Sequence, residues 1–219
     1  MVVKSNLKTK MYRSILDSII RGEYKPESIL TEKILVDRFH VSKSPIREAL
    51  IELCNEGVLR SIPRYGYEVI RITDQDIADV QAFRLLIECG SMETYWDMLK
   101  SERVMEVLGQ RENCQECDAF EHWEHNTRFH LALISCFGNK FLYRSLSEAL
   151  KFLSRAYAQF YWEQWHRTRF VSKEEHHRLI LQYIQEGEKE LAIKTLEADI
   201  LEFARGEEFY KPIFLDVSY

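Results

Sequence analysis

The chain has 219 residues, 46% hydrophobic and 30% charged, with eight Gly and four Pro, the composition of a soluble, mostly helical protein with room for one large core or two modest ones. No apolar stretch nears the roughly 18 residues a membrane span needs; "MVVKSNLKTKMYRS" lacks the apolar heart of a secretory signal, and five cysteines in no repeating frame fit a reducing cytoplasm. The net charge of −5 hides an asymmetry: residues 1–72 carry 13 Lys and Arg against 9 Asp and Glu, the remainder 17 against 26, so two domains are expected and only 1–72 suits a phosphate-rich partner.

Leu7, Met11, Ile15 and Ile19 recur every fourth position and predict an amphipathic helix over 6–21, stopped at Gly22. After a loop holding Pro26, Thr31 is a good N-cap, with Leu30 and Leu35 placed as a hydrophobic staple. It opens a short helix that ends near Phe39. A third helix follows within a few residues, with Pro45 in its first turn and Gly57 at its close. Its apolar face is Ile46, Ala49, Leu50 and Leu53. "VLRSI" and "YEVIRI", separated by "PRYG", predict two short strands and a tight turn. Three helices and then a β-hairpin is the order of a winged helix-turn-helix.

In that arrangement the third helix enters the DNA major groove by its N-terminus, with Ser42, Lys43, Ser44, Ile46 and Arg47 at the front. Arg47 lies off the Ile46/Leu50/Leu53 stripe and is free to reach outwards, where a guanidinium can grip guanine with two hydrogen bonds. Lys33 and Lys43 are expected on phosphates or as secondary base readers. The two serines and the helix N-terminus suit phosphate. Arg64, Tyr65 and Gly66 form the tip of the wing. "SKSPIREAL" alone could equally be a capped helix with solvated charges; its place between a short capped helix and a hairpin favours DNA.

The stretch "LTEKILVDRFHVSKSPIREALIELCNEGVLRSIPRYGYEV" closely resembles the DNA-binding domain of GntR-family transcriptional regulators. Leu30, Glu32, Leu35, Val41, Ser42, Pro45, Arg47, Glu48, Ala49, Leu50, Leu53, Glu56, Gly57 and Gly66 fall on the family pattern. The resemblance implies that Lys33, Lys43, Arg47 and the wing at Gly66 contact DNA. Two positions depart. Lys43 replaces the usual Arg, which weakens bidentate base reading, and His40 sits where the turn often has Gly, a strained choice if φ is positive there.

"TDQ" at 73–75 reads as both boundary and N-cap, and helices alone follow: 74–99, 102–112, 118–137, 139–166, 172–186 and 188–205, punctuated by Gly109, Gly138 and Gly187. The closing "FYKPIFLDVSY" is apolar and is expected to dock on the bundle. The fold class expected is therefore mainly α: a winged helix-turn-helix over 1–72 and an all-α bundle over 73–219.

The segments "FRLLIE", "NTRFHLALISCFGNKFL" and "EEHHRLILQYIQEGEKELAIKTLEAD" resemble, more loosely, the FCD effector domain of the FadR subfamily. In many members an Asp and three His hold a divalent metal that helps bind a small carboxylate. The resemblance maps those ligands onto Asn126, His130, His177 and Asp199, so two of the four positions depart. By spacing, 126 and 130 share a helix face, and His177 shares a stripe with Ile180, Leu181 and Ile184, which favours it over His176. Asp199 lies with Ala192, Leu196 and Phe203, where a carboxylate needs a partner. Two His and one Asp suit Zn, Mn, Fe or Ni, with the Asn126 carbonyl as a weak fourth ligand. A metal-free hydrogen-bonded His–Asp cluster, including Arg84, is the alternative. Arg84 is also the expected anchor for an anionic effector.

Cys114 and Cys117 lack the second pair a structural zinc site requires, and "YAQFYWEQW" reads as core. The expectation is a cytoplasmic, homodimeric repressor that binds a near-palindromic operator and responds to an organic acid. It is not expected to be an enzyme, and no membrane is expected among its partners. The alternative is a metal-dependent hydrolase built on the His/Asp cluster, for which no further base or nucleophile is placed by motif.

Overall fold

A computed structural model describes residues 7–101, 104, 108, 119–165 and 175–202, with side chains left out at 119–122, 160–165 and 202. Contacts divide the chain into two compact units: Met1–Asp74 with Phe152–Arg167, and Gln75–Lys151 with Thr168–Tyr219.

In the first unit, α1 (Leu7–Ile20), α2 (Glu32–Phe39) and α3 (Lys43–Asn55) precede a small sheet. The stripe of α1 buries Met11, Ile15 and Ile19 against Leu35 of α2 and the Ile46/Ala49/Leu50/Leu53 face of α3. Each of these larger aliphatic side chains contributes roughly 1.5–3 kcal/mol through burial. Thr31 caps α2 by accepting a hydrogen bond from Ile34 N–H. His40 closes α2 in the left-handed region, at φ 52° and ψ 44°, with its N–H on Val36 O. The strain expected of a non-glycine residue there is thus present. Ser42 precedes α3 in extended conformation but makes no side-chain cap.

The hairpin strands are β2 (Leu59–Ile62) and β3 (Gly66–Val69), joined through Pro63, Arg64 and Tyr65, with Tyr65 N–H on Ile62 O. Pro63 followed by Arg64 at φ 71° matches a type II turn. A two-residue strand, β1 (Ile29–Leu30), was not expected. It pairs antiparallel with β3, Leu30 opposite Tyr67, and completes a sheet ordered β1-β3-β2. Gly66 makes this approach possible. It sits at φ 133°, and a Cβ there would come within 2.4 Å of Leu30 O. Residues 152–159 also belong to this unit: Gln159 accepts from Ile72 N–H and donates to Ile70 O, and Arg155 donates to Gly57 O.

The second unit is helical throughout its described residues. The single helix expected over 74–99 is instead four pieces. These are α4 (Asp74–Arg84), a π turn (Leu85–Cys89), α5 (Gly90–Thr94) and a 3-10 turn (Trp96–Lys100). Tyr95, at φ −108° and ψ 21°, breaks the α geometry before the last of these. The wider π turn follows directly on Arg84 and contains Glu88, and both side chains are completely buried. Then come α6 (Ala119–Ser135), α7 (Lys140–Trp165), α8 (Glu175–Glu186) and α9 (Lys189–Glu202), each within a few residues of expectation. Gly138 and Gly187 terminate α6 and α8 with positive φ.

Of the helix expected over 102–112, Val104 and Leu108 are described, both helical and buried. Gly109, Cys114, Cys117, Phe203 and the stretch 209–219 lie outside the described residues, as do the side chains of the aromatic run beyond Gln159. No described helix is long and apolar enough to cross a membrane.

Candidate functional site

Two places gather the residues singled out by sequence. The first is the outer face of α2, α3 and the wing. Lys33, Ser42, Lys43, Ser44, Arg47, Arg64 and Tyr65 are all exposed, Tyr65 to 72% of its surface, while Gly66 is half-buried beside β1. Arg47 does point outwards, its side chain 59% exposed, but it is not free. Its Nε donates to Glu32 Oε1 at 2.7 Å and an Nη to Oε2 at 3.0 Å, a fork that ties α3 to α2. A carboxylate one helix away is the nearest planar acceptor for a guanidinium without DNA, which the stripe argument on α3 alone could not reveal. Glu32 is held below its usual carboxylate range, first by the Arg47 hydrogen bond, against a smaller opposing effect of burial. Ser44 donates to Glu48 Oε1 at 2.9 Å, so its hydroxyl is engaged within α3.

The second place is buried among α4, its π turn, α6, α8 and α9. His130, His177 and Asp199 converge, with one ligand atom from each lying within 4.8 Å of the others. His130 Nε2 stands 2.9 Å from Asp199 Oδ2, and His177 Nε2 stands 3.5 Å from Asp199 Oδ1. His176, more exposed than its neighbour, reaches Asp199 Oδ1 only at 3.7 Å. The His177 ring stacks on Phe129, centroids 3.9 Å apart, which sets its plane. Asn126 is half-buried one turn before His130 on α6.

Sequence reasoning assigned no role to Glu88, which links this cluster to Arg84. Glu88 Oε2 meets His130 Nδ1 at 2.6 Å, and Glu88 Oε1 accepts from Arg84 Nε at 2.8 Å. All three side chains are fully buried. Glu88 closes the FRLLIE segment that carries part of the FCD resemblance, but its spacing of four from Arg84 reads, in an α-helix, as a solvated surface pair.

Burial opposes charge on Glu88, yet the positive Arg84 and then His130 draw its carboxyl below the ordinary range. Burial likewise opposes the Asp199 charge, and the imidazoles of His130, His176 and His177 around it outweigh that effect, holding the group well below its usual value. For His130, burial lowers the pKa, but Glu88 and Asp199 raise it more.

Two features bear on what the pocket could hold. His130 Nε2 and Asp199 Oδ2 are buried and close, yet neither is in a hydrogen bond. Two electron-pair donors directed at common space are what a cation needs, so the His/His/Asp set fits a divalent metal. The Arg84 Nη1 and Nη2 atoms are also buried and without a hydrogen-bond partner. A buried guanidinium with one edge unmet is costly unless an anion completes it.

Comparison with known proteins bears on both places. Residues 7–69 match the family model described as bacterial regulatory proteins, gntR family, and residues 76–201 match the FCD domain model. An uncharacterized HTH-type transcriptional regulator in an unstable DNA locus of Streptomyces ambofaciens is 28% identical over 188 residues, 83% of this chain and 77% of that protein. The gluconate operon transcriptional repressor of Bacillus subtilis is 40% identical over 70 residues, 32% of this chain and 28% of that protein. Among solved structures, McbR/YncC of E. coli shares the fold at a TM-score of 0.62, with 18% identity over 90% of this chain and 94% of that one.

Proposed function

The chain belongs to the gntR family of bacterial regulatory proteins and carries an FCD domain behind its winged helix; it is thus a transcriptional regulator, and we propose that it is a homodimeric repressor released from a near-palindromic operator by a small organic acid. The proposed division of labour is DNA binding by residues 1–72 and effector binding and dimerisation by 73–219. Repression is supported by relatives such as the gluconate operon repressor. Family membership favours this reading over a hydrolase built on the same cluster.

On DNA, the N-terminal turn of α3 enters the major groove. Arg47 reads a base, with Glu32 holding the guanidinium plane. Lys33, Lys43 and Ser42 bind phosphate, Ser44 sits beside them, and Arg64, Tyr65 and Gly66 form the wing that meets the flanking backbone. Two copies with two-fold symmetry would read two half-sites.

The observation that carries the effector reading is the pair of unmet buried groups, the His130/Asp199 donors and the outer edge of Arg84, joined through Glu88. His130, His177 and Asp199 would hold a divalent metal such as Zn, Mn, Fe or Ni, with the Asn126 carbonyl as a further ligand. Bound there, the metal supplies a Lewis-acidic positive charge. Arg84 contributes the Nη pair that takes a carboxylate in a bidentate grip, and burial strengthens both by excluding water. The effector acts by population shift: it binds the arrangement that holds DNA less well, and its differential affinity is the whole of its leverage.

Gel shifts with DNA selected from a random pool test the reading. Affinity should fall steeply between about 50 and 200 mM salt, and a panel of di- and tricarboxylates added with metal should release the DNA. Salt-independent binding would overturn the DNA-binding role, and indifference to every acid would overturn the effector class.

A further inference from the structure

We infer that Glu88 is the positioning residue of the effector pocket: its two carboxylate oxygens, shared between His130 Nδ1 and Arg84 Nε, fix the tautomer that leaves His130 Nε2 open towards His177 and Asp199. The inference rests on the metal reading of that cluster and deepens it.

His130 has two ring nitrogens and can offer a lone pair at only one of them when neutral. Glu88 Oε2 lies 2.6 Å from Nδ1. An ionised carboxylate only accepts hydrogen bonds, so the Nδ1 proton belongs in that contact, and with Asp199 engaged by the metal the lone pair is left on Nε2. Nε2 is the atom that stands 2.9 Å from Asp199 Oδ2. A carboxylate behind a ligating histidine sets the ring's orientation and raises its basicity, an arrangement general to histidine–metal sites.

The second oxygen of Glu88 gives the residue its reach. It accepts from Arg84 Nε at 2.8 Å, which fixes the guanidinium by its inner edge and leaves Nη1 and Nη2 unbonded on the other side. One side chain thereby orients both the metal ligand and the anion anchor. The π turn makes this possible, because Arg84 and Glu88 both point inward with no exposed surface.

Glutamine cannot replace this arrangement although it is the same size. Its amide has one acceptor and one donor, whereas His130 Nδ1–H and Arg84 Nε–H both need acceptors. If the amide nitrogen faces His130, the ring shifts its proton to Nε2 and loses the ligating lone pair. If it faces Arg84, two donors meet.

The test is a Co2+ titration of the full-length wild-type and Glu88→Gln proteins, followed by the visible d–d bands. A long-range proton–nitrogen correlation of the histidine rings accompanies it, recorded on Zn2+-loaded wild type. We expect Glu88→Gln to bind Co2+ 10–100-fold more weakly. In the loaded wild type, His130 should carry its proton on Nδ1 and its metal on Nε2. Equal Co2+ affinity in the two proteins overturns the role of Glu88 and leaves the metal reading standing. A His130 ring protonated on Nε2 in the loaded wild type overturns it without any variant, so a Glu88→Gln protein that does not fold leaves the inference testable. A wild type that takes up neither metal removes the metal reading and this inference with it.

Discussion

In the DNA-free chain the Arg47 guanidinium already rests in the fork of Glu32, so the base reading proposed for it would begin from a held side chain. The pair is more than half exposed on the Arg47 side, so it adds little to stability. Its value is orientation. Glu32→Gln should therefore leave the melting temperature nearly unchanged. It should raise affinity for random DNA at low salt, because one negative charge leaves the interface, and lower preference for the operator by on the order of tenfold. Competition binding with both DNAs reads the two effects separately, and an unchanged preference would show that Glu32 has no part in reading. Arg47→Ala should cost about 1–3 kcal/mol of discrimination at one base pair per half-site. Cys89, next to Glu88, is chemically quiet by contrast. Burial first, and then the Glu88 charge, push its thiol up to about 12, so almost no thiolate exists at neutral pH. Iodoacetamide at about pH 8 should leave Cys89 unmodified in peptide mass maps of the folded protein. Rapid labelling there would contradict the raised thiol pKa of this half-buried residue.

At the scale of elements, the two caps that flank the helix-turn-helix separate stability from recognition. Thr31 accepts from Ile34 N–H, whereas Ser42 makes no side-chain cap on α3. Thr31→Ala should thus cost about 1 kcal/mol of stability, while Ser42→Ala should cost almost none and weaken DNA binding instead. Urea melts and gel shifts on the same two proteins distinguish the roles; a Ser42→Ala protein as destabilised as Thr31→Ala would refute the distinction. His40 gives a third handle. Its φ of 52° is a conformation glycine adopts without strain, so His40→Gly should stabilise the domain by up to about 1 kcal/mol.

The elements also show where reading a sequence succeeds. The 3.6-residue stripe of α3 and the glycines at 57, 138 and 187 are local signals, and they marked helix faces and ends within a few residues. Strand β1 is two residues long, too short for any alternation, and exists because Gly66 lets Leu30 approach β3. The π turn at Leu85–Cys89 is equally silent, because periodicity assumes regular α geometry. That is why Glu88, although it closes the FRLLIE segment, is given no place in the site from sequence. His130, His177 and Asp199 were legible through the FCD resemblance, which the apolar stripes carrying His177 and Asp199 supported. A residue whose burial depends on an irregular turn sends no such signal.

For the whole molecule, charge distribution sets how the chain meets DNA. The excess of four positive charges lies in residues 1–72, and the remainder is nine negative. A chain that is acidic overall is repelled by DNA at long range, where screening decides the energy, and attracted only where the basic face is close. Affinity should therefore be carried by short-range contacts whose number is countable. Each phosphate neutralised adds about −0.9 to the slope of log K against log salt. Lys43→Ala should make that slope shallower by about 1 for each protomer on the site, and weaken operator and random DNA alike. Arg47→Ala should lower operator affinity chiefly through lost base contacts, with less change in slope. Titrating the wild type and both variants on both DNAs from about 50 to 200 mM salt gives four slopes for the variants against two for the wild type. If Lys43→Ala selectively weakens the operator and leaves the slope unaltered, then Lys43 reads a base, as the Arg usual at its position would, and its assignment to phosphate is wrong.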